Sequence, residues 1–137
     1  MNFEGSCHCG AISYVYTTGL PVDGWSIRAC QCSFCRGHAA VTTSDPNGAL
    51  RFFENEAGGL QRYRFGLGIT EFLLCGRCGS YLGAQMETAK GLRGIVNINA
   101  MRPPPDGLAD VMGKNYDGES VEQRSRRREV GWTPVQL

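Results

Sequence analysis

No segment of the sequence stays apolar for the ~18 residues that a membrane helix needs, and there is no surplus of one charge sign to draw in nucleic acid or an anionic surface. Fourteen Lys and Arg stand against thirteen Asp and Glu, for a formal net charge of +1. Only two of those cations are lysines, and histidine occurs only at His8 and His38. A Gly-rich phosphate loop, a distinctive pair of carboxylates and a Ser-His-Asp pattern are all missing. So are internal repeats and low-complexity tracts. The opening residues Met1-Asn2-Phe3-Glu4-Gly5 lack the basic-then-apolar pattern of a secretory signal, so the expected setting is cytoplasmic and reducing. At 137 residues, 42% hydrophobic and 20% charged, the chain has the size and composition of one domain over residues 1–137 with its own core.

Cysteine is the exception. Seven occur, an odd number that one chain cannot pair completely, and in a reduced protein short spacings point to metal ligation. They fall into Cys7-His8-Cys9-Gly10, Cys30-Gln31-Cys32-Ser33-Phe34-Cys35 and Cys75-Gly76-Arg77-Cys78-Gly79. Residues two apart on a strand share a face, so Cys7 with Cys9, and Cys30 with Cys32, are expected to point together, with His8 turned away. The Cys75 to Gly79 stretch reads as a knuckle that needs a positive φ just after Cys78. Structural zinc takes four protein ligands, and catalytic zinc takes three and keeps one position open. Seven divides accordingly, with Cys7, Cys9, Cys75 and Cys78 in one group and Cys30, Cys32 and Cys35 in the other. Spacing alone also allows the middle group to join Cys75 and Cys78. With seven thiolates and two Zn²⁺ the formal charge becomes −2, and nucleic acid is not an expected partner.

Short strands are predicted over Ala11–Tyr16, Trp25–Cys30, Leu50–Phe53, Leu60–Phe65, Ile69–Cys75, Ser80–Gln85 and Gly94–Ala100, separated by Gly, Pro and Asp. Turns are expected at Gly19–Asp23 and Asp45–Gly48, and a stiff connector at Arg102–Gly107. The one predicted helix is Ser120–Glu129, with a capping box from Ser120 to Gln123 and Gly131 just past its end. Its basic run, Arg124, Arg126, Arg127 and Arg128, reads as a solvated face with cations near the helix C-terminus. Trp132 is expected to pack back on the domain.

Gly5 to Ile12, Cys30 to Arg36 and Phe72 to Ser80 closely resemble, in order and internal spacing, the three motifs of the glutathione-dependent formaldehyde-activating enzyme family, which also contains centromere protein V. The resemblance covers about residues 5–100 and leaves residues 101–137 as a C-terminal extension. It implies a mainly β chain with a β-tent fold, its antiparallel sheets pinned by zinc, as in the methionine sulfoxide reductase B superfamily. A short C-terminal helix follows. It implies structural zinc on Cys7, Cys9, Cys75 and Cys78 and catalytic zinc on Cys30, Cys32 and Cys35, the latter the more labile. The implied activity is a carbon–sulfur lyase joining or splitting glutathione and formaldehyde as S-hydroxymethylglutathione. The alternative is a non-catalytic, zinc-stabilised module that binds protein or nucleic acid. A methionine sulfoxide reductase would need a redox cysteine outside the metal sites, and none is left over. Where many relatives carry Gly-Thr-Leu-Asp, this chain has Asn97-Ile98-Asn99-Ala100-Met101, and its Arg-rich tail ending Trp132-Thr133-Pro134-Val135 is not general to the family; both segments are expected to shape the substrate pocket. Arg36, beside the thiolates, is a candidate grip for a glutathione carboxylate, and His38 a candidate fourth ligand, proton shuttle or substrate-binding group. Gln31 and Ser33 are candidate hydrogen-bond donors to the cysteine sulfurs. Phe34 and Trp25 read as core or pocket wall.

Overall fold

The computed structural model describes residues 1–136. In chain order it runs β1 (Asn2–Ser6), β2 (Ile12–Thr17), β3 (Arg28–Cys30), α1 (Ser33–Gly37), β4 (Thr42–Thr43), β5 (Ala49–Glu54), β6 (Leu60–Tyr63), β7 (Glu71–Cys75), β8 (Tyr81–Thr88), β9 (Gly91–Asn97), β10 (Met112–Lys114), α2 (Val121–Gly131) and β11 (Thr133–Pro134). The chain is mainly β, as expected. One sheet has the order β1-β2-β5, and the other β10-β3-β4-β9-β8-β7-β6 with β11 against β9. Between the named strands all pairings are antiparallel except β10 on β3, so the larger sheet is mixed.

Alternation explains the inner strands. Along β2 the buried side chains are Ile12, Tyr14 and Tyr16, which project from one face into a core shared with Trp25, Ile27, Leu50, Leu82, Val96 and Met101. Every predicted strand has a counterpart, but Trp25–Ile27 stays outside β3 and β9 stops at Asn97. Trp25 and Ile27 are buried all the same; their hydrophobicity secures burial without a ladder partner. The elements not anticipated are β1, α1, β4, β10 and β11. The strands among them are short or on an edge, where a neighbouring strand rather than local propensity decides the conformation, and α1 is a single capped turn.

After β9 the chain enters a 3₁₀ turn over Ile98–Ala100. Asn97, 6% exposed, joins three segments. Its amide Nδ2 donates to the Tyr81 carbonyl at 2.9 Å, and its Oδ1 accepts from the backbone N–H groups of Val41 and Asn99, both at 3.3 Å. Its own carbonyl accepts from the Tyr14 hydroxyl at 2.9 Å, tying the two sheets together. The Asn97–Met101 segment therefore joins the sheets and does not line the main cavity, contrary to the sequence expectation.

Helix α2 begins with the predicted capping box: Gln123 N–H donates to Ser120 Oγ at 3.1 Å, and Ser120 N–H donates to Gln123 Oε1 at 2.9 Å. It continues through Gly131, which lies inside the helix rather than past its end. Trp132 is buried as expected. Beyond it, β11 pairs with β9, and Gln136 N–H donates to the Leu50 carbonyl at 2.8 Å.

Replacing Asn97 with Ala removes its hydrogen bonds to the buried Tyr81 carbonyl and the half-buried Val41 N–H, at ~1–3 kcal/mol for a buried group left unpaired, while the N–H of the exposed Asn99 can turn to water. Urea unfolding should show Asn97→Ala less stable than wild type by ~2 kcal/mol or more; a loss below ~0.5 kcal/mol would contradict the joining role.

Candidate functional site

Four cysteines meet where two turns converge. Cys7 and Cys9 lie on the turn between β1 and β2, not on a strand as expected. The turn is closed by Gly10 N–H donating to the Cys7 carbonyl at 3.2 Å. Cys75 ends β7, and Cys78 lies on a turn closed by Gly79 N–H to the Cys75 carbonyl at 2.9 Å. Gly79 has φ +81°, the positive value predicted just after Cys78 and one that L side chains rarely adopt. Cys7 and Cys9 sulfurs are 3.7 Å apart and Cys9 and Cys75 sulfurs 3.6 Å apart, and all four sulfurs lie within 4.8 Å of one another. Zinc–sulfur bonds of ≈ 2.3 Å in a tetrahedron give edges of about 3.8 Å, so the donor set fits such an ion.

Backbone amides supply what thiolates need. Ile12 N–H donates to Cys7 Sγ at 3.3 Å, and the N–H groups of Arg77 and Cys78 donate to Cys75 Sγ at 3.3 and 3.4 Å. At Cys78 burial opposes ionisation, but hydrogen bonds from the Ser80 side chain and backbone pull its pKa down to about 5. Burial also opposes ionisation at Cys75, where the Cys78 and Arg77 amides win and hold the thiol low. His8 is exposed and offers its amide to Ser80 Oγ at 3.2 Å; it is not a member of the sulfur group.

The second group gathers Cys30, Cys32 and Cys35, with sulfurs again within 4.8 Å of one another. Among the described residues no histidine or carboxylate joins them, and Cys75 and Cys78 belong to the other group. Cys30 ends β3, and Cys32 is the N-cap of α1, its Sγ accepting from Cys35 N–H at 3.4 Å. A strand-to-helix turn, not a shared strand face, thus brings Cys30 and Cys32 together. A hydrogen bond from Cys35 pulls Cys30 down to about 5. The same bond, followed by burial, pushes Cys35 up. Without a cation the pair shares one charge and one proton. Gln31 Nε2 donates to the Ala29 carbonyl at 2.9 Å rather than to a sulfur. The N–H donors to the sulfurs are main-chain groups, and no hydrogen bond links Ser33 to them.

A cavity of about 500 Å³ opens on this group. Phe65, Ile69, Phe72, Tyr81, Ile95 and Trp132 form an apolar wall, and Arg36 lies on its lining. Arg36 Nε is engaged by the Gln31 carbonyl at 3.0 Å. His38, the C-cap of α1, donates Nδ1–H to the Phe34 carbonyl at 3.0 Å. It is exposed and absent from the cavity lining, so the structure does not bring it to the sulfurs. Phe34 packs among His38, Tyr63, Phe65, Phe72 and Tyr81, while Trp25 packs with Phe3 and Tyr16 in the other core.

The C-terminal segment, expected to shape the pocket, lines this cavity, while the reading of its arginine run as a solvated helix face is corrected. Arg124, Arg127 and Arg128 line the cavity with Glu119 and Arg28, and only Arg126 of the run is exposed. Glu119 accepts from Arg124 Nε at 3.2 Å and from Arg127 Nε and Nη2 at 2.6 and 2.8 Å. Arg127 also stacks over Tyr116, its Cζ 3.7 Å from the ring centroid. Arg128 is 7% exposed. The signal was in the spacing: positions 124, 127 and 128 are related by i, i+3 and i+4 and so fall on one helix face, with 126 pointing elsewhere.

The model for the family described as glutathione-dependent formaldehyde-activating enzyme matches residues 2–113. The crystal structure of a Rhodobacter sphaeroides protein, a structural genomics target, superposes with a TM-score of 0.58 at 27% identity, covering 80% of this chain and 99% of that one. No curated protein matches. The family match spans both cysteine groups and their connecting strands, and the chain belongs to the glutathione-dependent formaldehyde-activating enzyme family.

Proposed function

We propose that this chain is a zinc-dependent carbon–sulfur lyase acting on a thiol–aldehyde adduct, with S-hydroxymethylglutathione as the leading candidate. One observation carries the reading: three sulfurs with no fourth protein ligand among the described residues face a cavity large enough for a small molecule. A closed four-ligand site would be inert, whereas three ligands leave a position for substrate. Cys7, Cys9, Cys75 and Cys78 would hold a structural zinc, and Cys30, Cys32 and Cys35 the catalytic one. Both sets need thiolates and hence a reducing compartment, as in the cytoplasm.

In the cleavage direction the carbon–sulfur bond of the adduct breaks, the sulfur leaves with the bonding pair, and the hydroxyl proton is released as the carbonyl forms. When bound, zinc at the open site supplies Lewis acidity, stabilising a thiolate or polarising a carbonyl oxygen. The protein's own part is placement and exclusion of water. The Cys35 amide holds Cys32 Sγ in orientation, and the short α1 fixes the spacing of its ligands. The Phe65, Phe72 and Trp132 wall keeps the reacting carbon from bulk solvent. Arg36 offers a guanidinium at the lining for a substrate carboxylate.

Exchange between glutathione and S-hydroxymethylglutathione, followed by NMR, should be accelerated by zinc-loaded protein. It should fall to the uncatalysed rate after chelation and with Cys32→Ser; full exchange in Cys32→Ser would sink the assignment of the catalytic group.

The two sites should also separate by stability. Structural zinc contributes on the order of 10 kcal/mol in apparent binding energy, so Cys75→Ser should lose one metal per chain and the cooperative thermal transition with it. Cys32→Ser should lose one metal and keep that transition. An unchanged melting temperature in Cys75→Ser would rule out a structural role for the four-cysteine site.

A further inference from the structure

Arg128 is a buried cation with no anion of its own. One Nη donates to Thr70 Oγ1 and, at 3.2 Å, to the Met86 thioether, a weak acceptor; Nε has no partner. Its guanidinium lies over the Trp132 ring, 4.2 Å from the centroid. Among the described residues no carboxylate pairs with it, since Glu119 is taken by Arg124 and Arg127. Burial, then the charges of Arg127 and Arg124, lower its pKa to about 9, which still leaves it charged at neutral pH. An unpaired buried charge is costly. Such a group is retained where something else supplies the counter-charge.

The thiolate cluster does not supply enough. The cavity lining holds five arginines, Arg28, Arg36, Arg124, Arg127 and Arg128, against Asp117 and Glu119. Three thiolates with one divalent cation add −1, and the lining then still carries +2. Arg124, Arg127 and Arg128 also lie beyond the residues 2–113 matched by the family model, so this wall belongs to the chain's own C-terminal segment.

We propose that Arg128 forms an anion subsite in the cavity it shares with Cys30, Cys32 and Cys35, so that the enzyme selects adducts bearing a carboxylate at the end of a partly apolar arm. This deepens the lyase reading and rests on it only for placing the carbon–sulfur bond at the three cysteines. The guanidinium fork grips the carboxylate, Trp132 supports the fork from beneath, and the phenylalanines bury the arm. The carboxylate belongs either to the thiol or to the aldehyde half.

Calorimetry on the zinc-loaded full chain with 3-phenylpropionate and 3-phenylpropan-1-ol, which match in shape and differ in charge, tests the subsite without turnover. Wild type should prefer the acid by about tenfold or more, which corresponds to ~1.4 kcal/mol. Arg128→Gln should bring the two ligands within about twofold, and Arg128→Lys, which keeps the charge and loses the fork, should fall between. Should Arg128→Gln not fold, the Lys variant and the fall of wild-type acid preference with salt carry the test. Equal affinity for both ligands in wild type, no binding of either, or an acid preference unchanged in the variants overturns the subsite. Turnover of glutathione, glutathione diethyl ester and glyoxylate adducts then locates the carboxylate: loss with the ester places it on the thiol, and a gain with glyoxylate over formaldehyde places it on the aldehyde. Acid preference without any glutathione turnover would overturn glutathione as the thiol and leave the subsite standing.

Discussion

Four sulfurs within 4.8 Å of one another cannot all be ionised without a cation between them. Two unit charges 4 Å apart repel by about 4 kcal/mol at an effective dielectric of 20, and four make six such pairs. Cys7 and Cys75 are buried within the core shared by both sheets, so this repulsion acts where the β1–β2 turn of one sheet meets the β7–β8 turn of the other. The main-chain N–H groups aimed at Cys7 and Cys75 reduce the penalty without removing it. The convergence of the two turns therefore depends on a bound cation or on retained protons. With the cation in place the turns become a cross-link between segments 66 residues apart in sequence.

The same electrostatic economy operates in the cavity with the sign reversed. Burying guanidinium groups beside an apolar wall is unfavourable in isolation, and the C-terminal segment holds them there through several contacts. Arg28 Nη2 donates to Ser44 Oγ at 2.7 Å, and Ser44 Oγ in turn donates to the Gly131 carbonyl at 2.8 Å. Asp45 N–H donates to Thr133 Oγ1 at 2.8 Å. The ladder of β11 on β9 and the burial of Trp132 complete the attachment. Within the helix, Arg128 bonds to Thr70 and packs over Trp132, so α2 is held by its inner face as well as by its C-terminal end.

What could be read from the sequence follows from how local each constraint is. Metal ligation demands one residue type at short intervals, so Cys30-x-Cys32-x-x-Cys35 and Cys75-x-x-Cys78 were legible without a fold. So was the Ser120 capping box, a contact between residues three apart. The conformation beneath the cysteines was less so: Cys7 to Gly10 is a turn and Cys32 to Gly37 a capped helix, because converging sulfurs can be presented by several backbones. Strands β4 and β10 carry no periodic signal, since two or three residues become a strand only when a partner lies alongside. The arginine run was misread for a different reason. Charged residues on a short polar helix default to solvent, and only the tertiary docking of Trp132 and Thr133 turns the 124, 127, 128 face inward.

That contrast bears on how the molecule divides its labour. The cysteines and the strands that present them lie within residues 2–113, the span common to the family, and a metal site tolerates little change in ligand type or distance. The arginines that share their cavity come from a terminal helix whose attachment uses sheet edges, a tryptophan and a few side-chain hydrogen bonds. No side chain on the inner face of this helix hydrogen-bonds to a cysteine sulfur, and Arg128 acts on Cys30 only through its charge. On the proposed reading, reaction type rests with the cysteine-bearing part of the chain and substrate choice with the terminal helix. Arg128 stands at their meeting point, near enough to the thiolates to favour ionised Cys30 and on an element free to carry another residue.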